Sequence, residues 1–366
     1  MTVPFLDLQA PYIELRDAID EAVTRVLDSG WFIQGAEVEA FEAEFAAYCG
    51  AKYCVGLGNG LDALTLALRA LEIRPGDEVI VPSNTFIATW LAVSEVGATP
   101  VPVEPTAGGV NIGAENIEAA LSPRTKAVIP VHLYGQPADI EAIVDLARRN
   151  GLAVVEDAAQ AHGARVNGQR IGRHGDVVCW SFYPGKNLGA VGDGGAITTD
   201  NAALADRIRA LGNYGSRRKY VHDLRGVNSR LDPLQAAVLR AKLPHLDAWN
   251  ARRRAVAAHY TAGLQAAPLQ LPTVVPGTEA VWHLYVIRSS NRDALQSWLA
   301  QRGVGTLIHY PVAPHMQLAY ADLGLSPDTL PIAQAMAGEV LSLPMGPHLS
   351  ADQIEQTIQA VIAFEL

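Results

Sequence analysis

The chain of 366 residues has 49% hydrophobic and 18% charged content, enough core material for one large α/β domain with a smaller companion. Its formal net charge of -10 argues against a nucleic-acid-binding surface, while leaving room for an anionic small molecule held by local positive charge. Cys49, Cys54 and Cys179 show no metal-ligand spacing and suit a reducing cytoplasm; the N-terminus does not read as a signal peptide, and no apolar run approaches membrane-spanning length.

In chain order, β-rich apolar runs predict strands at Tyr53–Val55, Val79–Val81, Thr99–Val103, Ala127–Val131, Ala153–Glu156, Val177–Ser181 and Ala196–Thr199. Helical patterns lie between them at Leu61–Leu71, Phe86–Val96, Asp139–Asn150 and Ala202–Leu211. This alternation implies right-handed crossovers and a mostly parallel sheet covered on both faces. Arg230–Leu264 reads as a long helix interrupted near Pro244, and prolines at 268, 272 and 276 mark a loop. A smaller α/β unit follows: strand His283–Ile287, helix Arg292–Arg302, strand Val304–Ile308, helix Ile332–Glu339 and strand Val340–Leu343. Ser350 and Gln353 have capping-box spacing at the start of a last helix. The expected division is a large domain over 1–235 and a small one over 236–366.

In an open parallel sheet, ligands bind at the carboxyl ends of the strands. Asn84, Thr85 and Phe86, His132 and Tyr134, Asp157, and Ser181 through Lys186 all follow predicted strands. Lys186, amid glycines and aromatics, is not placed like a solvated charge. A lysine able to form an imine and a carboxylate from another strand end are what pyridoxal phosphate (PLP) chemistry requires. Gly56-Leu57-Gly58-Asn59-Gly60 lies between a strand and a helix, where glycines and free N–H groups suit a phosphate. The dinucleotide pattern G-x-G-x-x-G starts there but meets Leu61 where its third glycine belongs, so an NAD-dependent oxidoreductase is a partial match. Singly, each residue has a plainer reading: a turn-capping aspartate, a core hydroxyl, a surface-loop lysine. Their convergence on one edge carries the argument.

Asn59-Gly60-Leu61-Asp62-Ala63-Leu64, Asn84-Thr85-Phe86-Ile87-Ala88-Thr89, Val131-His132-Leu133-Tyr134-Gly135, Glu156-Asp157-Ala158-Ala159-Gln160, Ser181-Phe182-Tyr183-Pro184-Gly185-Lys186-Asn187 and Asn228-Ser229-Arg230-Leu231-Asp232 resemble the DegT/DnrJ/EryC1/StrS family. The resemblance runs over essentially the whole chain. It implies PLP-dependent amination of nucleotide-linked keto sugars on the fold type I architecture of aspartate aminotransferase: a large domain with a mostly parallel mixed sheet, plus a smaller C-terminal α/β domain. It further implies that Lys186 bonds PLP, Asp157 pairs with the pyridine nitrogen, Gln160 meets the phenolic oxygen and Phe86 stacks on the ring. Gly58, Asn59 and Gly60 would offer amides to the phosphate and Ser181 its hydroxyl, with Asn228 arriving from a neighbouring subunit of a homodimer. Many members carry serine or threonine where this chain has Asn59. Sugar dehydratases of the family have histidine at the position of Lys186, so lysine favours transamination.

L-Glutamate is the expected amino donor, with pyridoxamine phosphate as the intermediate cofactor form. Tyr183, His309 and Tyr310 are the expected hexose contacts. Arg217, Arg218, Lys219, His222 and Arg225 form the dense basic run; Lys219 is the first choice for the diphosphate. The segments 214–222 and 226–230 resemble most the subgroup acting at C3 of a dTDP-3-keto-6-deoxyhexose. A C4-specific or 2-acetamido-sugar enzyme is the nearest alternative, and a non-catalytic PLP-fold protein a further one. Such chemistry serves cell-surface glycans, lipopolysaccharide among them, and secondary metabolites alike.

Overall fold

The computed structural model describes residues 2–364. Its central sheet comprises β1 (Tyr53–Leu57), β2 (Glu78–Pro82), β3 (Thr99–Val103), β4 (Thr125–Val128), β5 (Ala153–Asp157), β6 (Val177–Ser181) and β7 (Gly195–Thr199). Their spatial order is β1-β7-β6-β5-β4-β2-β3. Neighbours from β3 across to β6 are parallel, whereas β7 runs antiparallel to both β6 and β1. The exception follows from the connection: residues 182–194 join β6 to β7 without a crossover helix, and a parallel return would need one.

The strand runs are apolar throughout because both faces are covered. In β2, Val79 and Val81 enter one buried cluster, with Leu64, Leu68 and Trp90, while Ile80 enters the opposite one. That second cluster holds Phe41, Phe45, Trp180 and Phe182, whose rings meet edge-on at 5.2–5.3 Å. Each such ring removed from water contributes about 1.5–3 kcal/mol. The helices Gly60–Ala70, Ala88–Glu95, Ile140–Asn150 and Ala202–Gly212 lie within two residues of their predicted bounds. Arg16–Ser29 and Ala36–Cys49 are additional helices; the first buries Ile19, Ala22 and Val26 at helical spacing.

Arg230–Leu264 resolves into helices Pro233–Lys242 and Leu246–Leu264, joined by a 3-10 turn at Pro244. The second helix belongs to two cores. Leu246 packs with the central cluster, whereas Val256, Tyr260 and Leu264 pack with Leu341, Ile358 and the N-terminal Val3. The strands β8 (Tyr285–Arg288) and β9 (Val340–Leu343) pair antiparallel. Val304–Ile308 does not extend this sheet, contrary to its apolar pattern. The Gly305 amide donates to Val3 instead (2.8 Å), and Leu307 makes one isolated bridge to Ser342. The capping box at Ser350 is complete in both directions.

All three cysteines are buried and unpaired, with thiol pKa values pushed up by burial. Among the described residues, no helix is long and apolar enough to cross a membrane.

Candidate active site

Asp157 closes β5 and Ser181 closes β6, on the sheet edge where the loops after β2 and β4 also emerge. Beyond Ser181 the chain folds back on itself: Phe182 N donates to Gly194 O (2.7 Å), Ala190 N to Phe182 O (2.8 Å) and Lys186 N to Tyr183 O (2.8 Å). Gly189 makes this fold possible, since a Cβ there would stand 2.3 Å from the Pro184 carbonyl oxygen. Asn187, Asn250 and Lys242 clamp the loop from behind. Asn187 Nδ2 donates to Asn250 Oδ1 and Val281 O (2.9 Å each), and Lys242 Nζ to Gly189 O (2.7 Å).

The half-buried Lys186 is held at about 8, because burial disfavours its ammonium more strongly than Asp157 favours it. About a tenth of the amine is therefore free at pH 7. Three imidazoles within its electrostatic reach are kept neutral, chiefly by burial and then by Lys186: His309 at about 4, His162 at about 3, and His283 well below its ordinary value. Asp157 is 7% exposed and accepts from Thr89 Oγ1 (2.9 Å) and the Ala159 amide (3.2 Å). Both donors are neutral, and burial raises its carboxyl above the ordinary value. Thr89, in turn, lies 3.2 Å from the buried Thr85 hydroxyl.

The Gln160 amide is fixed at both ends: Oε1 accepts from the Tyr134 amide (2.6 Å), and Nε2 donates to the Tyr310 hydroxyl (3.1 Å). Tyr134 donates its own hydroxyl to the His309 carbonyl, and His309 Nδ1 lies 2.8 Å from Ser342 Oγ. Tyr310 also approaches Phe86, with ring centres 5.3 Å apart. Phe86 precedes the helix Ala88–Glu95 and is 51% exposed, leaving much of its ring free. His132, by contrast, is structural: Nδ1 accepts from the Ala138 amide (3.0 Å), so Nε2 carries the proton toward Glu156 (3.0 Å).

At the glycine turn, Asn59 caps the helix Gly60–Ala70 by accepting from the Asp62 amide (2.9 Å). Among the described residues the Gly60 and Leu61 amides, at the positive end of the helix dipole, have no hydrogen-bond acceptor. The Gly58 amide, expected to face a phosphate, donates instead to Ser229 Oγ (3.0 Å), because the loop carrying Asn228 and Ser229 returns against the turn. Gly60 lies against Ser181, and a Cβ on it would stand 2.7 Å from the Ser181 Cβ. The turn and β6 are thereby drawn together.

Other expected contacts are less enclosed. Tyr183 is 58% exposed, and Asn228 and Lys219 are exposed on the loop after Gly212, with Lys219 Nζ 5.2 Å from the Tyr220 ring. Within the basic run, Arg217 is matched by Asp206 (2.7 Å) and Asp223 (3.7 Å), leaving Lys219 as a stronger source of unbalanced charge. Thr89 and Ser229 received no role in the sequence reading. They stand 68 and 171 residues from their partners, and no local signal connects them.

These residues fit PLP on three counts. A desolvated carboxylate with only neutral donors suits a pyridinium N–H. A partly exposed aromatic face stands beside it. A cradle too tight for a Cβ opens two free amides at a helix N-terminus. A dinucleotide fits less well, since the helix begins at Gly60 and Leu61 follows at once.

The family model for DegT/DnrJ/EryC1/StrS aminotransferases matches residues 14–362. The chain is 59% identical to the erythromycin biosynthesis sensory transduction protein EryC1 of Saccharopolyspora erythraea, over 98% of this chain and 100% of that protein. It is 57% identical to the dTDP-3-amino-3,4,6-trideoxy-α-D-glucose transaminase of Streptomyces venezuelae, over 98% and 95% of the two chains. The crystal structure of S. venezuelae DesV in complex with a ketimine intermediate superimposes with a TM-score of 0.97 at 57% identity, covering 98% of this chain and 97% of that one. Matched in sequence from end to end and in fold at this precision, the chain belongs to the DegT/DnrJ/EryC1/StrS aminotransferase family.

Proposed function

We propose that the protein is a PLP-dependent aminotransferase that moves an amino group from L-glutamate to C3 of a dTDP-3-keto-6-deoxyhexose, giving a dTDP-3-amino-3,6-dideoxyhexose. The reading is supported above all by Lys186, whose ammonium is weakened to about 8 by burial, with the buried Asp157 carboxylate in its electrostatic reach. The name of the similar dTDP-sugar transaminase supports the substrate class, and the ketimine bound in DesV supports amine transfer. The 59% identical relative named for sensory transduction would suit a regulatory role, but a non-catalytic protein has no need of this lysine–carboxylate pair.

When bound, PLP supplies an electron sink for breaking the Cα–H bond of the donor. Asp157 holds the positive charge at the pyridine nitrogen, and Thr89 holds Asp157. Lys186 would anchor the cofactor and, once released as a free amine, would accept and return the proton at the donor carbon. Gln160, locked by Tyr134 and Tyr310, would have one N–H left for the phenolic oxygen, and Phe86 would offer its exposed ring to the cofactor. Gly60, Leu61 and Ser181 receive the phosphate. Asn228 completes that site from the second subunit of a homodimer, and Lys219 reaches the nucleotide diphosphate. Tyr183 and His309 face the hexose. We assign the enzyme to the cytoplasm, making sugar nucleotides for a cell-surface glycan or a secondary metabolite.

The test is the absorption spectrum of the PLP-loaded protein before and after L-glutamate, followed by dTDP-3-keto-6-deoxyhexose. Conversion to the pyridoxamine spectrum, its reversal by the 3-keto sugar, and an amine located at C3 of the product by NMR are the expected results. An amine at C4, or turnover only with a 2-acetamido sugar, would move the assignment to those alternatives. A protein that takes up no PLP would overturn it.

A further inference from the structure

Behind the Lys186 loop lies a cavity of about 60 Å³, walled by Pro4–Leu8, by Pro184–Asn187 and Gly189, and by Met345–Leu349. Two cations from the helix pair line it: Lys242, 7% exposed, and Arg253, 4% exposed. Neither pairs with a carboxylate among the described residues. Lys242 Nζ spends one hydrogen bond on Gly189 O. Arg253 reaches the carbonyls of Trp282, His283 and Met345 through Nη1 alone, at 3.3–3.5 Å, the outer limit of hydrogen bonding. Its Nε and Nη2 donate to nothing among the described residues.

Of the other charged groups at the wall, Lys186 is a further cation, and Asp7 and His348 do not answer them. Asp7 is exposed and uses Oδ1 on the Gln9 and Ala10 amides, and His348 is engaged with Glu14. Burial depresses both cations, Lys242 to about 8 and Arg253 to about 10, with no opposing attraction. Two buried positive charges without an anion are costly in any fold. A cavity this size accommodates a few waters or one compact ion.

We propose that Arg253 and Lys242 form a receptor for one compact anion, a carboxylate or a halide, seated behind the Lys186 loop. The guanidinium offers two adjacent N–H donors on one edge, a match for a carboxylate. The anion has two sources, a free ion or one carboxylate of the amino donor. The second rests on the transaminase reading; the first does not.

The test compares thermal unfolding of the cofactor-free protein in sodium chloride and in sodium isethionate, whose anion is bulkier and more weakly coordinating, at equal ionic strength. Chloride should raise Tm by about 2 °C or more, by preferential binding to the folded state. Lys242→Met and Arg253→Gln should each lose the chloride–isethionate difference, whatever their own Tm, and Lys242→Arg should retain it. Equal Tm values in the two salts, or an undiminished difference in both neutral variants, would overturn the proposal. Should neither neutral variant fold, an anomalous map from a bromide-soaked wild-type crystal decides. A peak beside Arg253 Nε and Nη2 supports the site, and none there removes it. With the holoenzyme, chloride raising the donor KM without changing kcat identifies the donor carboxylate as occupant, whereas an unchanged KM beside the Tm rise identifies a free ion.

Discussion

Thr89→Val isolates the control of Asp157. The substitution keeps a β-branched side chain and deletes one oxygen, the donor 2.9 Å from Asp157 Oδ2. A hydrogen bond to a charged group contributes about 1.5–3 kcal/mol, which corresponds to about 1–2 pKa units at the acceptor. The direction follows from burial, which already raises the Asp157 carboxyl. Losing a donor that favours the ionised form raises it further, so the carboxylate is lost at a higher pH as acid is added. PLP affinity, measured by absorbance titration across pH 4–8, should show its acid limb displaced upward by about 1 unit, with binding on the neutral plateau little changed. Simple loss of packing would lower Tm and leave the limb in place. Coincident acid limbs for wild type and variant would refute the assignment of Thr89 to Asp157.

Gly60→Ala should lower Tm and weaken PLP binding together, because its methyl meets Ser181 at 2.7 Å; overpacking of this kind costs about 1–3 kcal/mol. Capture of PLP by the cofactor-free protein should accelerate about tenfold per pH unit below pH 8 and level off above it, following the free amine of Lys186; stopped-flow absorbance reads this directly, and Lys186→Ala should show no capture. Asn228→Ala should weaken PLP binding, although the residue is exposed and remote in sequence from Lys186, and equilibrium titration of cofactor fluorescence measures the loss.

The sheet was legible because Val- and Ile-rich runs buried on both faces leave an unambiguous pattern, as at Val177–Ser181. The convergence of the candidate residues on one edge was legible because a parallel sheet delivers its strand ends to one side. Val304–Ile308 misled for the converse reason: it is apolar enough to be a strand, yet its pairing is divided between Val3 and Ser342, and neither partner is foreseeable from the segment. The helix Ala36–Cys49 escaped notice because its apolar residues are spread around the axis rather than along one stripe. The bonds that tune the site, Thr89 to Asp157 and Tyr310 to Gln160, join residues 68 and 150 positions apart and leave no imprint on the local sequence.

The helix Leu246–Leu264 contributes Leu246 to one hydrophobic core and Tyr260 and Leu264 to another. Neither core can dissolve without stripping one end of the same rod, so partial melting gains little chain entropy for the apolar surface it exposes. Heating should therefore take both cores apart together, with a calorimetric enthalpy equal to the van't Hoff value for the cooperative unit. A protease cut within the helix would convert that single transition into two.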